Sequence, residues 1–214
     1  MNIVLFGSPG AGKGTQSNNI VDEFKLFKIS TGDLLRDEIR KKSLLGNEIK
    51  LLIDQGSFVS DKIINNLIEN VISNKEYFNK IIFDGYPRNL NQAKILDNLL
   101  NKYKQKISCV LSLRVNEESI IKRILGRVVC SKCGKIFNEH YKPATKTNHL
   151  CDSSYLYKRT DDNEKVIKHR IQTYNEETLP ILNYYKNQSL LTEIDGMKQI
   201  DEIYKEIRQI IVSL

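Results

Sequence analysis

The sequence predicts an α/β fold built on a parallel sheet, and three observations support this prediction. Short apolar runs alternate along the 214 residues with longer segments of helical periodicity. The first apolar run leads directly into a glycine-rich turn, and two polar inserts interrupt the alternation. The chain is 40% hydrophobic and 28% charged, which is typical of a soluble globular protein.

Four apolar runs are the predicted strands: residues 2–6 (NIVLF), 80–84 (KIIFD), 107–113 (ISCVLSL) and 190–195 (LLTEID). Cys109 lies within the third run, so we expect it to be a core residue. A helix is predicted to begin near Asp161 and Asp162 and to be disrupted by Pro180. The last helix carries one apolar face, formed by Ile200, Ile203, Ile207, Ile210, Ile211 and Leu214.

Two polar segments, residues 30–60 and 126–162, are predicted to be inserts on the loops of the sheet. The first is helical in pattern, whereas the second contains three of the four cysteines and no long periodic helix. Ligands of α/β sheets bind at the carboxyl ends of the strands. We therefore expect both inserts to overhang a binding site.

The formal net charge of +7 favours anionic partners, which include nucleic acids, anionic membrane surfaces and small phosphorylated molecules. No stretch approaches the roughly 18 apolar residues of a membrane span, so we expect no membrane partner and a cytoplasmic protein. Only nine of the 33 basic residues are arginines. Lysine cannot reproduce the planar fork that grips phosphate oxygens, so each arginine is a candidate phosphate ligand.

The first motif, GSPGAGKGT (Gly7–Thr15), nearly matches the phosphate-binding pattern G-x-x-x-x-G-K-[ST]. Its glycines permit backbone N–H groups to turn toward phosphate oxygens, and Lys13 adds a positive charge. The helix that follows presents its positive end to the same anion. Gly14, however, stands where a magnesium-binding hydroxyl is expected.

The second motif, FDGYPRNLNQA (Phe83–Ala93), follows a predicted strand. The Arg88 guanidinium can bind two oxygens of one phosphate, and the Gln92 amide offers both a donor and an acceptor to a purine edge.

These motifs resemble those of the nucleoside monophosphate kinases, and of the long-lid adenylate kinases among them. The resemblance extends from G-x-P-G-x-G-K-G-T through ISTGDLLR and D-G-Y-P-R-x-x-x-Q to EIDGMK, and so covers nearly the whole chain. It implies a three-layer P-loop fold with a five-stranded parallel sheet. The implied core comprises residues 1–29, 60–125 and 163–214, with a monophosphate-binding insert at 30–59 and a lid at 126–162.

The resemblance also implies transfer of the γ-phosphoryl group of ATP to AMP, giving two ADP, with Thr15 and Asp84 holding magnesium through water. The implied catalytic residues are Lys13, Asp84, Arg88, Arg123, Arg159 and Arg170. The implied ATP ligands are Gly10, Ala11, Gly12, Lys13, Gly14, Thr15, Arg123, Arg127, Ile136, Phe137 and Lys198. The implied AMP ligands are Thr31, Arg36, Ser57, Phe58, Val59, Gly85, Tyr86, Pro87, Arg88, Gln92, Arg159 and Arg170.

Arg123 and Arg127 are predicted to lie one turn apart on a helix, so that both face one ligand. Six of the nine arginines, at positions 36, 88, 123, 127, 159 and 170, fall on positions that the family uses.

The segment CSKCG (Cys130–Gly134), with Cys151, has the spacing of a zinc site. Family members that bind zinc carry Cys or Asp three residues after the third cysteine, where this chain has Ser154. The fourth ligand is left open between Asp152, His149 and His140, and the cysteines could also be remnants of a lost site.

We expect a monomer whose partners are ATP, AMP and ADP. Two alternatives stay open at this point: a UMP/CMP kinase, which the STGD segment disfavours, and a zinc-containing protein that binds nucleic acid. The arginine positions favour phosphoryl transfer over nucleic-acid binding.

Overall fold

The computed structural model describes residues 1–54 and 59–214, apart from the side chains of residues 37 and 45. Within these ranges the strands are β1 (Asn2–Gly7), β2 (Phe27–Ser30), β3 (Ile81–Asp84), β4 (Cys109–Arg114), β5 (Arg127–Cys130), β6 (Ile136–Asn138), β7 (Leu156–Tyr157) and β8 (Leu191–Asp195). The α-helices are α1 (Lys13–Phe24), α2 (Thr31–Arg40), α3 (Leu44–Asp54), α4 (Asp61–Ile72), α5 (Leu90–Lys102), α6 (Glu117–Leu125), α7 (Glu164–Thr173), α8 (Leu179–Lys186) and α9 (Ile200–Val212).

Five parallel strands form the central sheet, in the order β2-β3-β1-β4-β8. The α/β fold class predicted from the sequence is confirmed, and the four apolar runs are β1, β3, β4 and β8. The fifth strand, β2, was not among the predicted runs. Its sequence FKIS is short, and Lys28 and Ser30 interrupt its apolar character, as an edge strand permits.

Helices cover both faces of the sheet because the side chains of β1 alternate between them. Val4 and Phe6 pack in one apolar cluster with residues of α4, α5 and α8. Ile3 and Leu5 pack in another with residues of α1 and α9. Full burial of such a side chain contributes about 1.5–3 kcal/mol, so both clusters hold the first strand at the centre of three layers.

The register of the sheet brings the carboxyl ends of four strands to one edge. Asp84 at the end of β3 pairs with Leu5 of β1 and with Ser30 of β2. Gly7 at the end of β1 pairs with Leu113 of β4. The glycine-rich motif and the turn after Asp84 therefore start at neighbouring points.

The two predicted inserts differ in structure. The described part of the first forms α2 and α3, in agreement with its helical pattern. The second contains a small antiparallel sheet, in the order β6-β5-β7, and no α-helix between residues 126 and 162.

The segment that follows the second insert differs from the prediction. The helix begins at Glu164, where the Asn163 side chain accepts a hydrogen bond from Val166 N at 3.1 Å. A π-helical turn, Tyr174–Thr178, then widens the chain, and Pro180 lies in the first turn of α8. The prediction that Pro180 disrupts the helix was wrong, because proline is tolerated in a first turn, where its missing N–H has no partner to lose.

The last helix buries Ile203, Ile207 and Ile211 on one face, whereas Leu214 lies beyond its end and is exposed. Cys109 is buried in β4, and burial raises the pKa of its thiol to about 12, as expected of a core residue. Of the helices in the described ranges, none combines the length and hydropathy needed to cross a membrane.

Candidate active site

The glycine-rich loop joins β1 to α1 and leaves the helix N-terminus open. Gly12 precedes α1 with a φ of 100°, which L side chains rarely adopt, and no side chain caps the helix. A Cβ at Gly10 would lie 2.6 Å from Cγ1 of Ile124, so α6 packs directly on the loop. Lys13 Nζ donates to the carbonyl oxygens of Gly7 at 2.6 Å and Ser8 at 3.0 Å.

Asp84 lies beside this loop at the end of β3 and is almost buried. Its Oδ2 accepts a hydrogen bond from Ser17 Oγ of α1 at 3.0 Å. A carboxylate next to a phosphate-binding loop supplies the kind of oxygen ligand that magnesium prefers, directly or through water. Thr15 and Asp84 line the same cavity, so the residues present fit a magnesium ion bound with a nucleotide.

The turn after Asp84 is tied to the start of α2. Thr31 Oγ1 donates to the Gly85 carbonyl oxygen at 2.8 Å, and Arg88 Nε donates to the same oxygen at 2.8 Å. Arg36 of α2 pairs with Asp33, one turn earlier on the same helix. These contacts aim two guanidinium groups from different elements toward one space.

Two of the expected nucleotide ligands are almost completely buried. The Tyr86 side chain is 1% exposed and donates its hydroxyl hydrogen to Asn65 Oδ1 at 2.7 Å. The Gln92 side chain is also buried, and its Oε1 accepts from the Arg88 backbone N–H at 2.8 Å.

The second insert and α7 contribute further cations. Arg127 Nε donates to Asp162 Oδ2 at 2.8 Å, and Arg170 of α7 pairs with Asp161 at 2.6 Å. Arg159 Nε is buried with no hydrogen-bond partner among the residues described. An unpaired buried guanidinium N–H is costly unless a ligand satisfies it, so Arg159 marks a site for an acceptor.

Arg123 and Arg127 do line one cavity, but not as neighbours on a helix. Arg123 lies on α6, whereas Arg127 begins β5. The shared orientation comes from the turn at Gly126 that joins the two elements. Arg123 also donates to the carbonyl oxygen of Gly196 at 2.9 Å, which ties α6 to the loop after β8.

Two cavities meet at the carboxyl edge of the sheet. The loop cavity is bounded by residues 9–16, by the small sheet and by residues 197–200. The helix cavity is bounded by α2, by Val59, by the turn at Gly85–Arg88 and by α7. The residues that line both are Pro9, Lys13, Gly32, Arg36, Gly85, Arg88 and Arg170.

This shared wall contains four cations and, among its described residues, no carboxylate. Burial lowers the pKa of Lys13 to about 8, opposed by Asp84 and reinforced by the charge of Arg88. Burial and the charge of Arg170 likewise lower the pKa of Arg88 to about 10. A polyanion placed here would relieve the repulsion among these groups.

The comparison with known proteins gives a consistent result. The profile of the adenylate kinase family matches residues 5–190. The chain is 46% identical over 211 residues to the adenylate kinase of Pelagibacter ubique (strain HTCC1062), covering 99% of each protein. It is 42% identical over 211 residues to that of Fusobacterium nucleatum, covering 99% of this chain and 98% of the relative.

The chain belongs to the adenylate kinase family. This membership confirms the resemblance that the sequence motifs indicated. It also confirms the predicted enzyme class, since the family transfers phosphoryl groups between ATP and AMP. The adenylate kinase of Methanosarcina barkeri is a further relative, at 39% identity over 213 residues and 99% of this chain.

Several residues predicted for the adenylate kinase site line the cavities in the structure. Residues 10–15, Arg123, Arg127, Ile136, Phe137, Arg159 and Lys198 line the loop cavity. Val59 and Pro87 line the helix cavity. Ser57 and Phe58 lie outside the described residues.

Sequence reasoning missed the acidic partners of the arginines. Asp33, Asp161 and Asp162 each pair with an arginine that lines a cavity. We assigned the last two to the first turn of a helix, but α7 begins only at Glu164. The signal that could have identified them is their position two and three residues after Arg159.

A cluster of potential metal ligands lies in the small sheet and the loop beside it. The candidate ligand atoms of Cys130, Cys133, His149 and Cys151 all lie within 4.8 Å of one another. His149 Nε2 is buried and lacks a hydrogen-bond partner among the described residues. Three sulfur ligands and one nitrogen are a set that zinc binds tetrahedrally, so these residues fit a zinc ion.

The structure separates the three residues considered for the fourth zinc ligand. His149 joins the cysteines, whereas Asp152 Oδ1 accepts from the Ser154 backbone N–H at 2.8 Å and caps a short turn. The His140 ring lies against Tyr141 instead. Burial alone raises the pKa of Cys130, but neighbouring hydrogen-bond donors, the Cys133 backbone N–H first among them, bring it to about 6, which favours the thiolate that zinc binds.

The lowered pKa of Lys13 predicts proton uptake when MgATP binds. At pH 8 about half of the unliganded protein carries a neutral Lys13, and a bound phosphate raises that pKa. Binding at pH 8 should therefore take up about half a proton, and binding at pH 6.5 close to none. Calorimetry in buffers of different ionisation enthalpy measures this, and binding without uptake at pH 8 would contradict it.

Proposed function

We propose that the protein transfers the γ-phosphoryl group of MgATP to AMP in line, giving two ADP, and catalyses the reverse reaction. The observation that carries this proposal is the meeting of two cavities at Lys13, Arg36, Arg88 and Arg170. Two nucleotides that point their phosphates at one another need cations at the point of transfer and separate pockets for their bases.

ATP occupies the loop cavity in this proposal. The open N-terminus of α1 and the amides of residues 10–15 surround its phosphates. Arg123 and Arg127 approach from the other side, and Ile136, Phe137 and Lys198 contact the adenosine part. Support comes from the lining of the cavity, which contains all of these residues.

AMP occupies the helix cavity. Arg36, Arg88 and Arg170, which line both cavities, bind its phosphate, and Arg159 is assigned to the same phosphate from the loop cavity. Thr31 and Gly85 fix the wall behind that phosphate. Val59, Pro87 and Gln92 contact the base, with Tyr86 supporting them from the core. Ser57 and Phe58 are also assigned to this pocket, although they lie outside the described residues.

The chemistry needs no general base, because the acceptor phosphate is already anionic at neutral pH. Lys13, Arg88, Arg123, Arg159 and Arg170 hold the phosphates in line and offset the charge that develops during transfer. Asp84 and Thr15 hold the metal through water. Magnesium, when bound with ATP, neutralises part of the charge on the β- and γ-phosphates.

Two moving parts enclose the substrates. Residues 1–29, 60–125 and 163–214 form the core, residues 30–59 the monophosphate-binding part and residues 126–162 the lid. Closure of the lid excludes water that would otherwise hydrolyse ATP. We propose a cytoplasmic monomer that maintains adenine nucleotide balance, with no nucleic-acid partner.

A structural zinc ion is the second element of the proposal. Cys130, Cys133, His149 and Cys151 hold it and so connect β5 to the loop before β7. The ion takes no part in phosphoryl transfer. It stabilises a small sheet whose three strands contain only four, three and two residues.

A coupled assay tests the proposed reaction. With MgATP as donor, we expect AMP to be phosphorylated at least about tenfold more efficiently than CMP or UMP. Faster use of CMP or UMP would assign the protein to the UMP/CMP kinases. Salt-dependent RNA binding without phosphorylation of AMP would refute phosphoryl transfer altogether.

Arg88→Lys should leave the fold intact and lower kcat about 100-fold, because an ammonium cannot bind two phosphate oxygens in one plane. The matched control is Arg114→Lys, at an exposed residue that pairs with Glu193 at 3.5 Å. The control should retain its kcat. Thermal melting checks that the Arg88 variant is folded. Unchanged turnover in a folded variant would contradict the proposal that Arg88 binds two phosphate oxygens at once.

His149→Ala should weaken zinc binding by more than about tenfold, a loss that even an outer-sphere partner can cause. His140→Ala is the matched control and should bind zinc as the natural protein does. Zinc content by mass spectrometry and competition with a chromogenic chelator measure the effect. Loss of zinc in the His140 variant alone would show that the fourth ligand is misassigned.

A further inference from the structure

The Gln92 amide is held by two hydrogen bonds between α4 and the turn before α5. Its Oε1 accepts from the backbone N–H of Arg88 at 2.8 Å. Its Nε2 donates to Oδ1 of Asp61, the first residue of α4, at 2.6 Å. The Gln92 side chain is 2% exposed, so water cannot readily replace either partner.

These two partners permit only one orientation of the amide. A carboxylate only accepts hydrogen bonds, and a backbone N–H only donates. If the amide flipped, its oxygen would face the Asp61 carboxylate and its NH2 group would face the Arg88 N–H. Asp61 is itself fixed, since Asn91 Nδ2 donates to its Oδ2 at 3.1 Å and Asn89 Nδ2 to its Oδ1 at 3.3 Å.

The fixed amide retains one N–H and one oxygen lone pair that no described residue uses. Both of its partners adjoin the helix cavity: Arg88 lines it, and Asp61 follows two residues after Val59, which also lines it. A 6-aminopurine offers an acceptor at N1 beside a donor at its amino group, which matches the free N–H and lone pair. A 6-oxopurine offers the reverse order and does not match.

We propose that Asp61 is a positioning residue that sets base choice: by fixing the Gln92 amide, it makes the helix cavity accept 6-aminopurine monophosphates and reject 6-oxopurine monophosphates. The inference rests on the proposed function, in which AMP binds in this cavity. Asp61 touches no substrate in this scheme and acts only through Gln92.

A simpler role for Asp61 is to stabilise the N-terminus of α4 by its charge. That role affects stability, and it would change the use of AMP and IMP by the same factor. A positioning role changes the ratio of the two. The ratio of kcat/KM for AMP to kcat/KM for IMP, with MgATP as donor, is therefore the deciding measurement.

Asp61→Asn replaces the carboxylate by an amide that can donate or accept, so Gln92 becomes free to flip. We expect the AMP-to-IMP ratio to fall about tenfold or more, with the KM for MgATP unchanged. Asn91→Ala is the matched control, because it removes a contact of Asp61 without releasing Gln92, and its ratio should stay at the natural value.

A double-mutant cycle with Gln92→Ala tests whether Asp61 acts through the amide. In the Gln92→Ala background, Asp61→Asn should leave the ratio unchanged. Asp61→Glu keeps a carboxylate, so its AMP-to-IMP ratio should be close to that of the natural protein. This variant also serves as the second test if Asp61→Asn folds poorly.

Equal losses for AMP and IMP in Asp61→Asn, or an effect on the ratio that persists without Gln92, would overturn the positioning role. Failure of the natural protein to phosphorylate AMP would instead refute the proposed function, and this is seen before any variant is made. An active natural protein with an unchanged variant ratio would refute only the inference about Asp61.

Discussion

Repulsion among buried cations is the constraint around which the two cavities are built. Lys13, Arg36, Arg88 and Arg170 share one wall, and burial lowers the pKa values of Lys13, Arg88 and Arg170. Carbonyl oxygens from the loop hold Lys13 in place, and a carbonyl oxygen from the turn after β3 holds Arg88. The loop and the turn lie close together because Gly7 and Asp84 end adjacent parallel strands, β1 and β3, at the carboxyl edge of the sheet.

Carboxylates complete this arrangement at the edge of the shared wall. Asp161 pairs with Arg170, Asp162 with Arg127, and Asp33 with Arg36. Each pair leaves part of its guanidinium group for a ligand, because an arginine has five N–H donors. Arg159 is the contrasting case, since its buried Nε has no partner among the described residues.

The sequence predicted the parts of this structure that depend on apolar periodicity or on strict backbone requirements. The strands β1, β3 and β4 are largely continuous apolar runs, β8 begins within the apolar pair Leu190 and Leu191, and the glycine-rich loop has few alternative conformations. The edge strand β2 escaped prediction because it has only four residues, no two of which are adjacent and apolar. The ion pair of Asp161 also escaped, and the sequence could not choose His149 over Asp152 and His140 as the fourth metal ligand, because both depend on three-dimensional proximity that residue spacing does not encode.

The carboxylates that already occupy the arginines have a consequence for the release of products. A phosphate that enters the cavities shares the guanidinium groups with Asp161, Asp162 and Asp33, whose negative charges already offset part of the positive charge. The nucleotide is therefore held less tightly than the number of cations suggests. An enzyme whose substrates and products carry nearly the same charge needs this restraint, because unopposed arginines would retain ADP and slow every cycle.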